Sequence, residues 1–483
     1  MALGTEVALG MTAQRRGRPV PAKRRQLHLG GFFSVPGNHL AGWRHPHAIP
    51  TSDMDFRLYA HITQVAEAAR FDCIFFQDTV GVAGSRALSR GERTRAKLSR
   101  TVKLEPTATL AALAMVTNHI GLVATATTTY NEPYNIARRF MSIDHISGGR
   151  AGWNLVTSQI EDEAENFGFD EHLAHADRYE RAAEFYEVVT GLWDSWEDAG
   201  LLRDKQSGVY MDRSKVHFLD HVGKHFKVKG PLNITRSPQG WPVIAQAGSS
   251  EAGRELAART ADVVFTAQTK MDEAKAFYAD IKKRTARHGR TPDDVLIMPG
   301  LTPVLGKTMQ EARDNYEYLQ SLMPDDVALQ SLSHISGGLD LAKYPLDGPL
   351  PDLPPSNAAK ARQALVVKTA RDNNMTLRQI ARHTAAGTGH RVLVGTPQYM
   401  ADEMEQWLKE EAADGFNVVC NYYPKPFDDF CRLVVPELQR RGIFRTEYAG
   451  TTLRQHLGLR IPENRYTRQV RLAKHEQEKQ EAS

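Results

Sequence analysis

The sequence predicts an α/β protein folded as a (β/α)8 TIM barrel with long insertions. Eight short apolar runs rich in β-forming residues are spread along the chain, and helical patterns lie between them. Most of these runs are nearly continuous in apolar residues, as expected for parallel strands covered on both faces. A doubly wound sheet is the alternative arrangement of the same elements.

The predicted strands are short and are bounded by polar or glycine-containing segments. They lie at 26–33, 73–78, 120–129, 151–158, 242–250, 263–268, 295–306 and 416–423.

The helices between them show apolar spacing or terminal signals. Phe56, Tyr59, Ile62 and the apolar residues that follow repeat at three and four positions after a cap-like segment at 51–53. Thr396 and Pro397 provide a cap and a first-turn proline for a helix over 398–413, which Gly415 ends. Further helices are predicted over about 174–196 and 251–261.

One domain, residues 26–461, accounts for these elements. Insertions are expected near 81–100, 197–240 and 307–395, and connections this long usually carry function. We predict a disordered basic leader over 1–25, or a start site placed too early, and a charged C-terminal tail over 462–483.

The charge balance argues against a nucleic-acid-binding protein. The chain has 483 residues and a formal net charge of +4, but six basic residues lie within the first 25. The remaining chain is close to neutral and has no basic stripe interleaved with aromatic residues. No hydrophobic region follows Arg24 and Arg25, which disfavours a twin-arginine signal.

No apolar stretch approaches the roughly 20 residues that cross a bilayer, so no membrane-spanning segment is predicted. Cys73, Cys420 and Cys431 are odd in number, and no CxxC pair is present. They are typical of reduced, packed thiols in a cytoplasmic protein.

Several catalytic and metal-binding motifs are absent or weak. The sequence contains no GxxxxGK[ST] loop, no GxGxxG after a strand and no GxSxG elbow. His217, His221 and His225 are spaced for one face of a helix, but Gly223 interrupts them and short strands on either side would scatter them. His45 and His47 have a proline between them and no nearby carboxylate, so we predict no metal site.

Polar residues end several predicted strands, which is where barrel enzymes build their active sites. They are Asp78 after strand two, Thr125, Thr127 and Thr128 in strand three, Asn154, Thr157 and Ser158 in strand four, and Ser249 and Ser250 after strand five. Hydroxyls and free amides at a helix start can bind a phosphate, although ordinary capping by Ser249 or Ser250 explains them equally. The whole set suits a cofactor with one phosphate and a polar ring system.

His175 and Tyr179 share a helix face, with Arg178 beside them. From spacing alone, a packed aromatic edge with a satisfied histidine explains this pair better than a site.

Longer stretches match a known family. The chain resembles the bacterial-luciferase-like flavin monooxygenases, in the branch of nitrilotriacetate monooxygenase, dibenzothiophene-sulfone monooxygenase and pristinamycin synthase component A. The matching stretches cover roughly residues 26–461: LHLGGFF at 27–33, EPTATLAALA at 105–114, PYNIARRF at 133–140, DHISGGRAGWNLVTS at 144–158, NFGFDEHLAHADRYERAAEF at 166–185, GPLNITRSPQGWPVIAQAGSS at 230–250 and FRTEYAGTTLRQHLGLR at 444–460.

The resemblance implies a luciferase-like barrel that binds reduced FMN, uses O2 and receives its flavin from a separate NAD(P)H:FMN reductase. It implies flavin contacts for Asp78, Thr125, Asn154 and Thr157, and phosphate contacts for His175, Tyr179, Ser249 and Ser250, which reverses the reading of the last four from spacing alone. It places Phe32, Phe75 and Phe265 in the substrate pocket, with His39 and His334 as candidate catalytic histidines.

The expected function is therefore a two-component FMNH2-dependent monooxygenase that oxygenates a small organic molecule of the sulfone, aminopolycarboxylate or heterocycle type. A deazaflavin-dependent hydride-transfer enzyme on the same barrel and a non-catalytic flavin-binding protein are the alternatives. The resemblance also implies a homodimer or homotetramer.

Overall fold

Eight parallel strands close into a barrel at the centre of the molecule. The computed structural model describes residues 25–82, 85, 99, 101–354, 360–387 and 389–481, with the backbone alone at 334, 360–362, 387 and 481. The strands in chain order are β1 (His28–Phe33), β2 (Cys73–Phe76), β3 (Gly121–Thr127), β4 (Ala151–Val156), β5 (His221–Val222), β6 (Lys227–Val228), β7 (Val243–Gln246), β8 (Val263–Thr266), β9 (Leu296–Leu305), β10 (Arg391–Gly395) and β11 (Gly415–Val419).

The barrel order is β1-β2-β3-β4-β7-β8-β9-β11, and it closes because β11 pairs with both β9 and β1. Each of the eight predicted apolar runs contains one of these strands, so the predicted (β/α)8 barrel is confirmed. The doubly wound alternative is wrong because such a sheet has two free edges, whereas this one joins end to end.

Side chains alternate between the barrel interior and the surrounding helices. Phe32, Phe75 and Val123 belong to an interior cluster with Phe265 and Met298. Their neighbours along the strands belong to the larger layer beneath the helices, for example Phe33, Ile74, Leu122 and Trp153. Both faces of each strand are therefore buried, which is why the runs are almost continuously apolar.

The helices surround the barrel and fill its insertions. They are α1 (Phe56–Ala68), α2 (Pro106–Ala114), α3 (Pro133–Ser147), α4 (His175–Trp193), α5 (Glu251–Thr260), α6 (Met271–Arg287), α7 (Met309–Ser321), α8 (Asp325–Ile335), α9 (Lys360–Asp372), α10 (Leu377–Gly387), α11 (Pro397–Lys409), α12 (Lys425–Asp429), α13 (Val435–Arg440), α14 (Leu453–His456) and α15 (Arg465–Glu481).

Two helix ends differ from the prediction. α1 is capped by Asp55, whose side chain accepts a hydrogen bond from the Arg57 amide, and not by the segment at 51–53. α11 has the predicted Thr396 cap and first-turn proline, but it ends at Lys409. The chain turns at Glu411, where φ is +55°, because β11 must begin at Gly415.

The insertion after β4 contains α4 and then the antiparallel ribbon of β5 and β6. The three histidines there bind different glutamates: His217 lies 2.8 Å from Glu197, His221 lies 2.9 Å from Glu184, and His225 lies 3.7 Å from Glu180. Within the described residues, no group of three or more His, Cys, Asp or Glu side chains could hold a metal ion.

The insertion after β9 forms a separate small core. Leu332, Leu377 and Ile380 pack in one cluster with Leu40 and Ala41 of the segment that follows β1. Sequence analysis missed β10, a five-residue strand that pairs in parallel with the carboxyl half of β9. The insertion therefore sits at the carboxyl end of the barrel.

The C-terminal segment closes the opposite, amino end. Leu453 of α14 is fully buried with Leu457 and Leu459 in the interior cluster. A Cβ atom on Gly121 would lie 2.3 Å from Leu453 Cδ1, so glycine at the start of β3 makes room for this side chain. The barrel is thus filled from its amino end, and only its carboxyl end is left to hold a ligand.

Some predictions fall on residues outside the description: the leader over 1–24 and most of the insertion at 81–100. The tail at 462–483 is helical as far as Glu481. No described helix has the length and apolar character needed to cross a membrane. The three cysteines are buried and form no disulfide.

Candidate active site

A buried polar pair lies on adjacent strands in the carboxyl half of the barrel. Thr125 of β3 and Asn154 of β4 are register partners, and Asn154 Nδ2 donates a 2.8 Å hydrogen bond to Thr125 Oγ1. Asn154 is 4% exposed, and its Oδ1 has no hydrogen-bond partner among the described residues. Leaving a buried acceptor unpaired costs about 1–3 kcal/mol, so this oxygen is suited to a ligand donor.

Asp78 follows β2 at the same rim. Burial raises the pKa of its carboxyl to about 6, and Glu105 and Glu163 add to that effect. Lys103 opposes it, with its Nζ 3.7 Å from Asp78 Oδ1. Lys103 Nζ also donates to Thr79 Oγ1 at 2.9 Å. The carboxyl therefore changes its charge close to neutral pH, next to a fixed cation.

The turn after β4 is held by hydroxyl groups and a buried arginine. Thr157 is buried, and its carbonyl accepts from Thr129 Oγ1 at 3.0 Å. Ser158 has a φ of +48° and donates from its Oγ to Thr127 Oγ1 at 2.8 Å. Arg178, only 1% exposed, donates to the Ser158 carbonyl oxygen.

His175 and Tyr179 lie at the start of α4, with ring centroids 4.8 Å apart. Between them in sequence, Arg178 points inward and donates to His172 Nε2 at 2.7 Å. His172 Nδ1 therefore carries the proton of the neutral ring and donates it to the Tyr130 hydroxyl oxygen. Sequence analysis named Arg178 but did not predict its burial, and it did not single out His172 or Tyr130.

Ser249 and Ser250 stand at the start of α5. Ser250 Oγ accepts from the Gly253 amide at 3.2 Å, so it does cap the helix. Arg259 of α5 donates to the Ala183 carbonyl oxygen of α4, so the two helices are neighbours. Because helices in this barrel begin at the carboxyl rim, the starts of α4 and α5 lie on the same side of the site.

Three phenylalanines fill the barrel interior below this rim. The ring centroids of Phe32 and Phe265 are 4.7 Å apart, those of Phe32 and Phe75 are 5.3 Å apart, and those of Phe75 and Phe265 are 5.8 Å apart. His390 stacks on Phe265 with centroids 5.0 Å apart. Sequence analysis missed His390, because no local pattern shows that the residue before β10 turns towards the interior.

The two candidate catalytic histidines differ in what can be said of them. His39 is 1% exposed, and its Nδ1 accepts from the Ala41 amide at 3.2 Å. The proton of the neutral ring therefore lies on Nε2. His334 belongs to α8, and its side chain lies outside the described residues.

The residues present fit a flavin. The buried Asn154 Oδ1 is an acceptor suited to a ring N–H, and Thr302 Oγ1 on β9 is a second fully buried polar atom with no partner among the described residues. The helix starts with hydroxyl and aromatic hydroxyl groups suit a phosphate, and the phenylalanines suit an apolar reacting edge. The predicted residues from β2, β3, β4 and β7 thus come to one end of the barrel.

Comparison with known proteins agrees with this arrangement. A model of the family described as luciferase-like monooxygenase matches residues 35–414. Nitrilotriacetate monooxygenase component A of Aminobacter aminovorans is 50% identical over 443 residues, which cover 91% of this chain and 98% of that protein.

Two solved structures are similar over their whole length. DmoA from Hyphomicrobium sulfonivorans has a TM-score of 0.81 at 34% identity, covering 89% of this chain and 92% of that one. Riboflavin lyase, solved with modified FMN and riboflavin, has a TM-score of 0.80 at 32% identity, covering 91% and 97%. The chain belongs to the luciferase-like monooxygenase family, in the branch that includes nitrilotriacetate monooxygenase.

Proposed function

We propose that this monooxygenase is the oxygenase component of a two-component system. It binds reduced FMN released by a separate NAD(P)H:FMN reductase and transfers one oxygen atom from O2 to a small sulfone, aminopolycarboxylate or heterocycle. The observation that carries the proposal is the unpaired Asn154 Oδ1, buried beside an aromatic chamber in a barrel of this family. The similar protein named component A and the similar structure containing modified FMN support it.

When bound, reduced FMN supplies the two electrons that activate O2, so one oxygen atom enters the substrate and the other leaves as water. Asn154 and Thr125 would orient the polar edge of the ring through the acceptor and the hydroxyl that they hold in the barrel wall. Asp78 would bind the ring from the adjacent strand. Thr157 would contact the ribityl chain from the turn that Arg178 fixes.

The starts of α4 and α5 would bind the phosphate. His175 and Tyr179 offer donors from one helix, and Ser249 and Ser250 offer hydroxyls from the other, together with the free amides of the first turn of α5. Since Ser250 Oγ already accepts from Gly253, its hydroxyl proton remains free to be donated to a phosphate oxygen.

Phe32, Phe75 and Phe265 exclude water from the reacting end, which limits the loss of activated oxygen as hydrogen peroxide. His39 has its proton on Nε2 and can donate it to an oxygen or to a substrate. We place His334 opposite in role, as the residue of the insertion that moves a proton when substrate is present.

Turnover by the purified chain tests this function. The chain is mixed with FMN, a flavin reductase, NADH and a panel of sulfones, aminopolycarboxylates and heterocycles under 18O2. We expect one panel class to give a product with a single 18O atom and substrate-dependent O2 uptake. Product formed without O2 from a reduced deazaflavin would identify the hydride-transfer alternative. Tight flavin binding without turnover of any class would favour a flavin carrier.

The phosphate site has its own test. The double variant Tyr179→Phe, Ser250→Ala should weaken binding of reduced FMN by about 1–3 kcal/mol, because it removes hydrogen bonds to a charged group. Riboflavin, which lacks the phosphate, is the matched ligand and should bind both proteins equally. Equal losses for FMN and riboflavin in an anaerobic fluorescence titration would move the phosphate elsewhere.

A further inference from the structure

A hairpin stands away from the barrel in the insertion after α4. Its two strands, which we call the arm (196–216), are joined by an antiparallel bridge between Trp196 and Val216 and another between Leu201 and Met211. The tip is tied by Asp204, which accepts from the Gln206 amide at 2.9 Å. Every residue from 202 to 211 is exposed. An isolated two-stranded hairpin is marginally stable in water, so the outer half of the arm lacks the packing that would hold it.

The exposed part of the arm is apolar. Leu202, Val209, Tyr210 and Met211 are 48%, 45%, 63% and 43% exposed. Four large apolar side chains within ten residues form a patch of the kind that marks an interaction surface.

The C-terminal helix α15 lies beside the base of the arm. Tyr466 stacks on His217 with ring centroids 3.8 Å apart, and Asn464 Nδ2 donates to the Asp194 carbonyl oxygen at 2.9 Å. Beyond this anchor, every residue from 467 to 480 is exposed, including Val470 at 56% and Leu472 at 43%. A helix that is mostly polar and exposed all round is marginal unless something packs against it.

The charges of α15 are divided between its two halves. The first half, 465–474, contains four basic residues and no acidic one, whereas the second half contains Glu476 and Glu478. Neither Arg468 nor Lys474 has an ion-pair partner within the described part of the chain. An identical helix laid antiparallel would place each basic half against an acidic half.

We propose that the arm and α15 form an interface with a second copy of this chain, in which the two α15 helices run antiparallel across a two-fold axis. A two-fold interface uses the same surface on both subunits, so its charge pattern must be self-complementary, and the pattern of α15 is. The apolar patch of the arm supplies the buried area that ion pairs alone would not. The partner is therefore this chain itself and not an unrelated protein of opposite charge.

Charge reversal tests the antiparallel pairing. The acidic variant carries Arg468→Glu and Lys474→Glu, and the basic variant carries Glu476→Lys and Glu478→Lys. In sedimentation velocity of the full chain, each variant alone should associate at least tenfold more weakly than the parent. An equimolar mixture of the two, and a variant carrying all four changes, should regain the association.

A parent chain that is monomeric, variants that associate like the parent, or a mixture that does not recover would each overturn the proposal. Thermal unfolding and flavin affinity of the variants should match the parent, since none of these residues contacts the barrel.

The arm is tested separately with Tyr210→Ser, Met211→Ser. We expect it to weaken association at least tenfold, whereas Met54→Ser, at a methionine that is 58% exposed elsewhere on the surface, should not. Equal behaviour of the two variants would exclude the arm from the interface.

Discussion

Asn154 distinguishes a residue kept for a ligand from one kept for stability. Its Oδ1 is buried without a partner in the described structure, so the protein by itself gains little from it. We expect Asn154→Leu to leave the free energy of unfolding within about 1 kcal/mol of the parent and to weaken flavin binding about tenfold.

Asn417 is the matched control for that prediction. It is 1% exposed in the same barrel, and its Nδ2 donates to the Met298 carbonyl oxygen at 3.1 Å. Asn417→Leu should lower stability in urea unfolding and leave the flavin affinity of the folded fraction unchanged. If both variants lose stability alike, Asn154 is a structural residue.

Asp78 gives a prediction about pH. Because burial raises its pKa in the folded protein to about 6, the folded state binds more protons than the unfolded state between about pH 4 and 6. The contribution of this carboxyl to the free energy of unfolding therefore falls as pH rises through that range. Asp78→Asn should remove this decline, which is about 2–3 kcal/mol between the two ends.

The measurement is urea unfolding of parent and Asp78→Asn at pH 4.5 and 7.5. The difference between the two proteins should change with pH in favour of the variant at the higher value. A constant difference would mean that Asp78 ionises alike in both states.

Among the elements, α14 closes the amino end of the barrel through Leu453. This side chain is fully buried against the glycines that begin β3 and β4, so Leu453→Ala would leave a cavity there. We expect a loss of about 2–5 kcal/mol in the free energy of unfolding, measured in urea. Leu433→Ala, at a leucine that is 37% exposed, is the control and should cost much less.

The strands were predictable because each is buried on both faces and therefore continuously apolar, a property visible in a short window of sequence. β10 was missed because Arg391 and the partly buried positions beside it interrupt its apolar run. The start of α1 was placed too early because several cap-forming residues precede it, and only the folded backbone selects Asp55.

At the scale of the whole molecule, the insertion after β9 has a core of its own that contacts the rest mainly through Leu40 and Ala41. A unit with few buried contacts to its surroundings opens more readily than the core that supports it. We expect amides of α8 and α10 to exchange with deuterium faster than those of β2, β3 and β4. Equal protection in mass spectrometry would show that insertion and barrel open together.

The sequence by itself determined the eight strands, the order of the main helices, the capping by Ser250 and Thr396, and the family, because these are written in local periodicity, caps and contiguous motifs. Only the tertiary structure decided which polar atoms are buried and which are paired. Lys103 meets Asp78, Arg178 reaches Ser158, His390 stacks on Phe265, and Asn154 keeps an unpaired oxygen. Burial and pairing depend on which distant segments meet when the barrel closes, and no local pattern contains that information.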